Sequence, residues 1–498
     1  MNRITPAKFL GRATFAAYLL TISLALLATP SYAQVSLLQI SSDPFTVGPG
    51  QHATEVEPHT LSFGSTIVSA FQTGRIAPGG STDIGWATST DSGATWTHGF
   101  LPGVTTGEGS GPYSAVSDPA VAYDAAHNVW MISSLPIANT QTPAVIVSRS
   151  TDGGLTWQNP VSVDPTASSS DKNWIVCDSY KTSKYYGNCY VEWDNPATGD
   201  GILMSTSTDG GLTWGAPLPT ADHALGIGGQ PLVQPNGRVI VPIETSGISV
   251  FGSLNGGASW TKTFNVATIQ SHIDAGGLRS GPLPTAAVDG TGTVYVVWED
   301  CRFRANCSTN DLVYSTSKDG AHWSAVTRIP IDAVTSTVDH FIPGIGIDPK
   351  TAGANAHIGV HYYYYSNSKC TTATCQLYVG FISSSNAGTT WNTPVTLAGP
   401  MQLSWLPNSQ NGLMVGDYIA TAFSGGVPHG VFAVAFAKSG STYNEPMYTA
   451  QGLTADLVGP QLSSAGDHPL HHLSDPVEFD HAEKGIHPPE KARRSAKK

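Results

Sequence analysis

The sequence predicts an all-β fold, a β-propeller built from four-stranded blades. Three observations lead to this prediction. A short turn motif recurs six times between residues 89 and 391, and the copies follow segments typical of β-strands. Glycine and proline are also plentiful, with 53 and 34 residues. Short strands and glycine-rich turns that repeat once per supersecondary unit are typical of propellers.

Each copy of the turn motif is interpreted as a hairpin corner with a structural role. The second copy reads Ser-Thr-Asp-Gly-Gly-Leu-Thr-Trp over residues 150–157. Its Asp can hydrogen-bond the backbone that follows, glycine supplies a positive φ, and the Trp ring covers the turn. In two copies Asn255 and Asn386 replace the Asp, and the fifth copy is one residue shorter, which predicts an altered turn there. The six copies span residues 89–96, 150–157, 207–214, 253–260, 317–323 and 384–391.

Strand-like segments accompany these turns. The segments 84–88, 144–148, 202–206 and 312–316 are rich in aliphatic and aromatic residues and precede a turn motif. Upstream of the fifth copy, residues 284–299 read as a hairpin around Asp-Gly-Thr-Gly. A strand, a tight turn and another strand in succession describe antiparallel blades.

The number of blades follows from the segments that open them. Seven openings accompany six turn motifs, and we predict seven blades, with six as the alternative. The last blade lacks a turn motif, and a strand at residues 35–40 could complete it. The openings are Glu57-Pro58, Asp118-Pro119, 171–174, Gln230-Pro231, Gly281-Pro282, 339–343 and 416–418.

The two ends of the chain differ from the repeated region at 34–454. Residues 1–33 combine basic residues, an apolar run and a final Ser-Tyr-Ala, which predicts a secretory signal peptide. Residues 455–498 are rich in histidine and proline and end in lysine and arginine, so we expect a disordered tail. Metal binding by its histidines is an alternative.

Charge and cysteine content narrow the class of protein. Removing the leader takes the formal charge from −12 to −15, which argues against a nucleic-acid-binding surface. Six cysteines are present, an even number that favours disulfides in an exported protein. Closure of each short loop is the simplest of the possible pairings. It would join Cys177 to Cys189, Cys301 to Cys307, and Cys370 to Cys375.

The set of Ser-x-Asp-x-Gly-x-Thr-Trp boxes resembles the sialidase-like superfamily, where the motif is called an Asp box or BNR repeat. The resemblance covers about residues 50 to 450. It implies a propeller fold and, for sialidases, three arginines that clamp a carboxylate, a Tyr nucleophile assisted by a Glu, and an Asp acid/base. This chain departs from that pattern. Residues 55–59 read Glu-Val-Glu-Pro-His where the first arginine is expected, and no arginine lies between Arg328 and Arg493.

The blade openings offer a different set of candidate residues. Because the openings should converge on the propeller axis, their carboxylates could form an acid/base pair or bind a cation. The alternative is that each carboxylate caps a turn. The candidate catalytic residues are Glu57, Asp118, Asp171, Asp417 and Tyr418.

Other residues are candidates for substrate binding. Arg75 and Arg302 could orient an acidic sugar, and His340 lies in a blade opening. Trp174 and Trp193 could stack on sugar rings, although ordinary strand packing is the alternative.

These features predict a secreted or periplasmic, monomeric protein that acts on glycans. We expect a glycoside hydrolase of sialidase-like fold that departs from the arginine-triad site. The alternative is a non-catalytic propeller that binds glycan or protein. We expect a carbohydrate partner, no nucleic acid and no membrane association after leader cleavage. No cofactor or metal is required, although a structural or site-bound Ca²⁺ is compatible with the carboxylates.

Overall fold

The computed structural model describes residue 1 and residues 35–166, 169–453 and 462–470. The predicted signal peptide and most of the predicted tail therefore lie outside the described residues. Within them, regular structure consists of β-strands and five short 3₁₀ helices, and no helix has the length and apolarity needed to span a bilayer. The helices are Pro196–Thr198, Ala275–Gly277, Ala305–Cys307, Gly353–Asn355 and Leu403–Trp405.

The strands form antiparallel sheets of four, as the all-β prediction requires. After β1 (Ser36–Gln39), the first group comprises β2 (Gln51–Phe63), β3 (Thr66–Arg75), β4 (Ser81–Ser89) and β5 (Thr97–Phe100). The second comprises β6 (Ala115–Asp124), β7 (Val129–Ile137), β8 (Ile146–Ser150) and β9 (Val161–Ser162). One residue pair, Ser81 with Val116, joins these two groups into a single eight-stranded sheet.

The next three groups are separate four-stranded sheets. The third contains β10 (Asp171–Cys177), β11 (Cys189–Asn195), β12 (Gly201–Ser207) and β13 (Leu218–Pro219). The fourth contains β14 (Leu232–Val233), β15 (Val239–Glu244), β16 (Gly247–Ser253) and β17 (Phe264–Thr268). The fifth contains β18 (Thr285–Val288), β19 (Val294–Asp300), β20 (Asp311–Ser317) and β21 (Thr327–Arg328).

The last groups include the two ends of the folded chain. The sixth contains β22 (Asp339–Ile347), β23 (Ile358–Tyr365), β24 (Gln376–Ser384) and β25 (Val395–Gln402). A small hairpin follows, β26 (Asn408–Ser409) and β27 (Gly412–Leu413). The seventh contains β28 (Ala420–Ser424), β29 (Val427–Ala433) and β30 (Met447–Gln451), and β1 pairs antiparallel with β30. The N-terminal strand therefore completes the last sheet, as predicted.

The first strands of the seven groups surround a common space. They contact one another in chain order, β2, β6, β10, β14, β18, β22 and β28, and β28 contacts β2 again. A cavity of about 420 Å³ is lined by residues of all seven strands. This arrangement is propeller-like, because the groups are disposed around one axis and each exposes its first strand to the centre.

The six turn motifs lie between the third and fourth strands of their groups, where a hairpin corner was predicted. In the second copy, Asp152 Oδ1 accepts hydrogen bonds from Ser150 Oγ (2.8 Å) and from Thr156 N (3.0 Å). Trp157 Nε1 donates to Gly154 O (3.1 Å), so the ring closes over the turn. In the shorter fifth copy, His322 Nδ1 lies 2.8 Å from Asp319 Oδ2 and replaces the usual threonine hydroxyl.

All three predicted disulfides are present and each closes a short loop. Cys177 and Cys189 are paired residues on β10 and β11, Cys301 bonds Cys307, and Cys370 bonds Cys375. These bonds are compatible with an extracellular protein.

Part of the segment expected to be disordered is packed on the sheets. The backbone of Leu462 exchanges two hydrogen bonds with Trp391 (2.7 and 2.8 Å). Asp467 Oδ2 lies 3.3 Å from Arg328 Nη1, and Leu470 N donates to Arg302 O (2.6 Å). Residues 462–470 of the predicted tail therefore make backbone hydrogen bonds and an ion pair with the sheets, contacts that composition does not reveal.

Candidate functional site

Four first strands share a backbone irregularity near their start. Glu57, Asp118, Lys172 and Ile342 have φ values of 56°, 52°, 48° and 49°. Each lies at a register shift between the first and second strands of its group. A β-bulge redirects the side chain of its extra residue, and a positive φ is unfavourable for residues other than glycine. Irregularities of both kinds occur often at functional sites.

At this end of the first strands lies a buried set of charged groups, here called the axial cluster. Arg279 Nε donates to Asp417 Oδ1 (2.7 Å), and Arg279 Nη2 donates to Asp417 Oδ2. Lys172 Nζ also donates to Asp417 Oδ2. These two cations hold the pKa of the Asp417 carboxyl far below its ordinary value, even though burial alone would raise it. The members of the cluster are Glu57, Arg75, Asp118, Asp171, Lys172, Arg279, Asp417 and Tyr418.

Glu57 is the counterpart of Asp417 within the cluster. Burial, and then the charges of Asp417 and Asp118, raise the pKa of Glu57 to about 8. Its Oε2 accepts a hydrogen bond from Gln72 Nε2. Gln72 Oε1 in turn accepts from Arg75 Nη1 (3.0 Å), which links Glu57 to a cation through one amide. Glu57 is therefore protonated near neutral pH.

Two further carboxylates lie beside Lys172. The Lys172 backbone N–H donates to Asp118 Oδ2 (3.1 Å) and to Asp171 Oδ1 (2.9 Å). Ser117 Oγ donates to Asp118 Oδ1 (2.5 Å). The pKa of Asp171 is raised well above its ordinary value by burial, and then by the charges of Asp118 and Asp194. The two carboxylates therefore share one backbone donor.

Tyr418 is held as a neutral phenol in this arrangement. Its hydroxyl donates to Pro119 O (3.3 Å), and its ring contacts Trp174 edge to face at a centroid distance of 4.9 Å. Burial, and then the charges of Glu57 and Asp118, raise its pKa well above the ordinary value. Trp174 also packs on His59 at 4.4 Å. The two predicted candidates Tyr418 and Trp174 are therefore neighbours at the edge of the cluster.

The chemistry open to the cluster is that of a proton donor beside an ionised carboxylate. Environments that separate the pKa values of neighbouring carboxyls assign the acid and its anionic partner. Glu57 and Asp171 are the members whose pKa values are raised, and Asp417 is the member whose pKa is lowered. Arg75, Lys172 and Arg279 add positive charge that suits an acidic ligand.

Access to the cluster is narrow. Asp417 and Asp171 are its most exposed members, at 8% and 9%. The hairpin β26–β27 and its turn contact two of the cations: Gln410 Oε1 accepts from Arg75 Nη2 (3.2 Å), and Leu413 O accepts from Arg279 N (2.7 Å). The hairpin therefore covers part of the cluster.

The structure brings together seven of the ten predicted site residues and separates the other three. The seven are Glu57, Arg75, Asp118, Asp171, Trp174, Asp417 and Tyr418. Arg302 is instead paired with Asp300, to which its Nε donates at 2.8 Å. His340 is 1% exposed and lies by Asn310 O, and Trp193 is 1% exposed in an apolar core.

For Trp193 and His340 the predicted contact with a sugar is not supported, because strand alternation directs both side chains inward. Arg302 was predicted to orient an acidic sugar, and in the structure its guanidinium is paired with the protein's own Asp300. None of the three side chains is presented to a ligand beside the axial cluster.

Sequence reasoning missed two cations, Lys172 and Arg279. Both lie at or next to a predicted blade opening: Lys172 follows Asp171, and Arg279 precedes Gly281 by two residues. The carboxylates were predicted because blade openings should converge on the propeller axis. The same reasoning, applied to basic residues, would have found these two cations. Asp194 and Glu192 on β11 were also missed, and alternating polar residues on a second strand are a weak signal.

No protein-family model matches the sequence, and no curated protein matches it. Among solved structures, a protein of unknown function from Dyadobacter fermentans is 16% identical, covers 71% of this chain and 99% of its own, and has a TM-score of 0.45. A single-residue mutant of the NanB sialidase from Streptococcus pneumoniae is 15% identical, covers 85% of this chain and 71% of its own, and has a TM-score of 0.42. A polysaccharide lyase described as an ulvan lyase is 11% identical, with coverages of 84% and 97% and a TM-score of 0.49. At such low sequence identities and TM-scores, only the residues of this chain itself indicate its chemistry.

Proposed function

We propose that this protein is a secreted glycoside hydrolase with a sialidase-like propeller of seven blades. The observation that carries the proposal is the pairing of Glu57, whose pKa is raised to about 8, with Asp417, whose pKa is lowered by Arg279 and Lys172. A proton donor beside an ionised carboxylate is the basic equipment for cleaving a glycosidic bond.

Seven blades are favoured by the first strands. Their contacts run in one cycle that returns from β28 to β2, and all seven line one cavity. The six turn motifs and the β1–β30 pair account for the outer parts of the seven groups.

In the proposed reaction Glu57 donates its proton to the glycosidic oxygen as the bond to the anomeric carbon breaks. Asp417 is the anionic partner that stabilises the positive charge on the sugar. Water then adds to the anomeric carbon and gives its proton to the Glu57 carboxylate, which restores the acid. The two oxygens of Asp417 are occupied by Arg279 and Lys172. An acidic group on the sugar would take over part of these cation contacts and release an Asp417 oxygen, so the proposed substrate class is acidic glycans.

The test is hydrolysis of aryl glycosides and natural glycans, including sialosides and uronic-acid glycans, by the secreted form of the protein. The variant Glu57→Gln should reduce kcat at least about 100-fold, because general acid catalysis contributes that much. Asp417→Asn should reduce kcat by a similar factor.

The matched control is Glu55→Gln. Glu55 lies two positions from Glu57 on the same strand, is 1% exposed, and has a pKa raised to about 8. It is bound instead to Ser41 and to Met447 N, away from the cluster. Turnover that survives in Glu57→Gln, or that is lost equally in Glu55→Gln, would contradict the proposed role.

The second candidate is a non-catalytic propeller that binds glycan or protein. It is favoured by the low exposure of the cluster, no more than 9% for any member, and by the complete engagement of Asp417. Retention on a glycan array with no turnover of any substrate would support this function and overturn the first.

A further inference from the structure

A second buried group of ionisable side chains lies outside the axial cluster, and we call it the His272 site. His272 and Asp274 lie in the segment between β17 and β18, and Asp339 is the first residue of β22. His272 Nδ1 is 3.3 Å from Asp339 Oδ2. One ligand atom from each of the three residues lies within 4.8 Å of the others, which is compact enough for them to bind the same ion.

A fourth carboxylate, Glu299 on β19, adds negative charge to the same place. Burial raises the pKa of Asp274 well above its ordinary value, and the next causes are the charges of Glu299 and Asp339. The pKa of Glu299 is raised in the same way, first by burial and then by the charge of Asp339. The main electrostatic neighbours of these carboxyls are therefore other carboxyls, an arrangement that a bound cation would stabilise.

Unpartnered polar atoms in this place point independently to a ligand. No hydrogen bond from a described residue reaches Glu299 Oε2 or Asp339 Oδ2, although the two side chains are 1% and 0% exposed, and Asp339 Oδ2 has only the ion-pair contact with His272 Nδ1 at 3.3 Å. The buried Tyr365 hydroxyl is also unpartnered, and the charges of Asp274 and Asp339 contribute to raising its pKa. Among these atoms, Asp339 Oδ2 lies within the group of candidate ligand atoms, where a bound ion would supply the partner that a buried polar atom requires.

The candidate ligands are held in place by neighbouring groups. Asn310 N donates to Asp339 Oδ1 (2.6 Å), Asn310 Oδ1 accepts from His272 N (2.7 Å), and Asn310 Nδ2 lies 3.3 Å from Asp274 Oδ1. Ser280 Oγ donates to Asp274 Oδ2 (2.5 Å). Such outer contacts orient metal ligands and leave the remaining oxygen lone pairs available.

A similar group nearby shows the contrasting case. Asp311, Asp332 and His340 also have closely spaced ligand atoms. There the guanidinium of Arg304 donates to both aspartates, and Arg328 also pairs with both. Internal cations therefore neutralise that group, whereas the His272 site has a histidine and clustered acids.

We propose that His272, Asp274 and Asp339 bind one divalent transition-metal ion. Imidazole together with carboxylates suits Zn²⁺ or Mn²⁺ better than Ca²⁺, which prefers oxygen alone. The His272 side chain is 24% exposed, which gives an ion a way in. Because Ser280 contacts Asp274 and follows Arg279, the ion also fixes the segment that carries an axial arginine.

The test uses the secreted chain, stripped with a chelator and titrated calorimetrically with Zn²⁺ alone, Mn²⁺ alone and Ca²⁺ alone. We expect one Zn²⁺ or Mn²⁺ site whose affinity falls at least about 10-fold in His272→Ala, since the change removes a direct ligand. The matched control is His322→Ala, which removes a histidine that is 89% exposed and lies beside a single carboxylate, Asp319. The tail histidines are present in every variant and cancel in the comparison.

Asp274→Asn provides a second variant in case His272→Ala does not fold. Equal affinity and stoichiometry in the wild type, the His272 or Asp274 variant and the His322 control would overturn the proposal, as would binding of Ca²⁺ alone. A thermal unfolding midpoint that rises with Zn²⁺ in the wild type and in His322→Ala, but not in the site variant, would support it without reference to catalysis.

Discussion

Arg279 and Asp417 form a two-point ion pair in which Nε and Nη2 of one residue donate to the two carboxylate oxygens of the other, although 138 positions separate them in the chain. Both side chains are at least 92% buried: Arg279 is 2% exposed and Asp417 is 8% exposed. The pair therefore connects the segment before β18 to the segment before β28 across the centre of the fold.

The first prediction concerns this ion pair. Arg279→Gln should lower the free energy of unfolding by about 3–5 kcal/mol, because it leaves a buried carboxylate without its main partner. Arg279→Lys should lose less, since the charge remains while the two-point geometry is lost. Urea denaturation measures both. Equal stability of the wild type and Arg279→Gln would show that the pair is not formed in solution.

The second prediction concerns pH. Burial raises the pKa of Glu55 from 4.5 to about 8, so between these values the folded state holds a proton that the unfolded state has released. The free energy of unfolding should therefore fall as pH rises from about 4.5 to about 8, by about 1.4 kcal/mol per pH unit for this group. Above about pH 8 the effect is complete.

Glu55→Gln removes this titration. The loss of stability between about pH 5 and about pH 7.5 should be smaller in this variant than in the wild type by roughly 2–3 kcal/mol, measured by urea denaturation. Parallel pH profiles for the two proteins would show that Glu55 is ionised in the folded state.

The third prediction concerns the turn motif. Asp152 accepts hydrogen bonds from Ser150, Leu155 and Thr156, and Asn255 makes equivalent contacts in the fourth copy, where its Nδ2 donates to Ser259 Oγ (2.8 Å). Asp152→Asn should therefore change the free energy of unfolding by less than about 0.5 kcal/mol. Asp152→Ala should lower it by about 1 kcal/mol, because several turn donors lose their acceptor. Similar losses in the two variants would contradict the interpretation of the motif as a hydrogen-bonded corner.

The fourth prediction concerns the N-terminal strand. β1 pairs with β30 over four residue pairs. Just after β1, Ser41 Oγ donates to Glu55 Oε2, and Met447 N donates both to Ser41 Oγ (2.8 Å) and to Glu55 Oε2 (2.9 Å). Deleting residues 35–41 should expose the edge of β30 and leave Glu55 with fewer partners, which favours aggregation or strand exchange. Size-exclusion chromatography of the deletion and of the full folded chain measures this. A monomeric, equally stable deletion would show that the last sheet does not need β1.

Much of the fold could be predicted because its signals are local. Residues 150–157 contain the whole hydrogen-bonding pattern of their turn, and the longest disulfide loop, Cys177 to Cys189, spans 12 positions. The strand pattern around residues 202–206 and 312–316 is likewise readable within a few residues, because side-chain alternation and glycine turns act over that range. The carboxylates of the blade openings were predicted by the same repeat.

The partners of those carboxylates could not be predicted in this way. Asp417 alone reads as one more acid at a blade opening, and only the ring of first strands places Lys172, 245 positions away, and Arg279 against it. The same applies to Trp193, which is buried in a core formed by residues of two groups of strands.

By itself the sequence determined an all-β repeat with local turns and local disulfides, because hydrogen bonds within a few residues and short loop closures specify them. Only the tertiary structure decided which carboxyl is protonated and which is ionised. Glu57 and Asp417 are both buried acids at blade openings, and their pKa values differ because the side chains of Arg279 and Lys172 donate hydrogen bonds to Asp417.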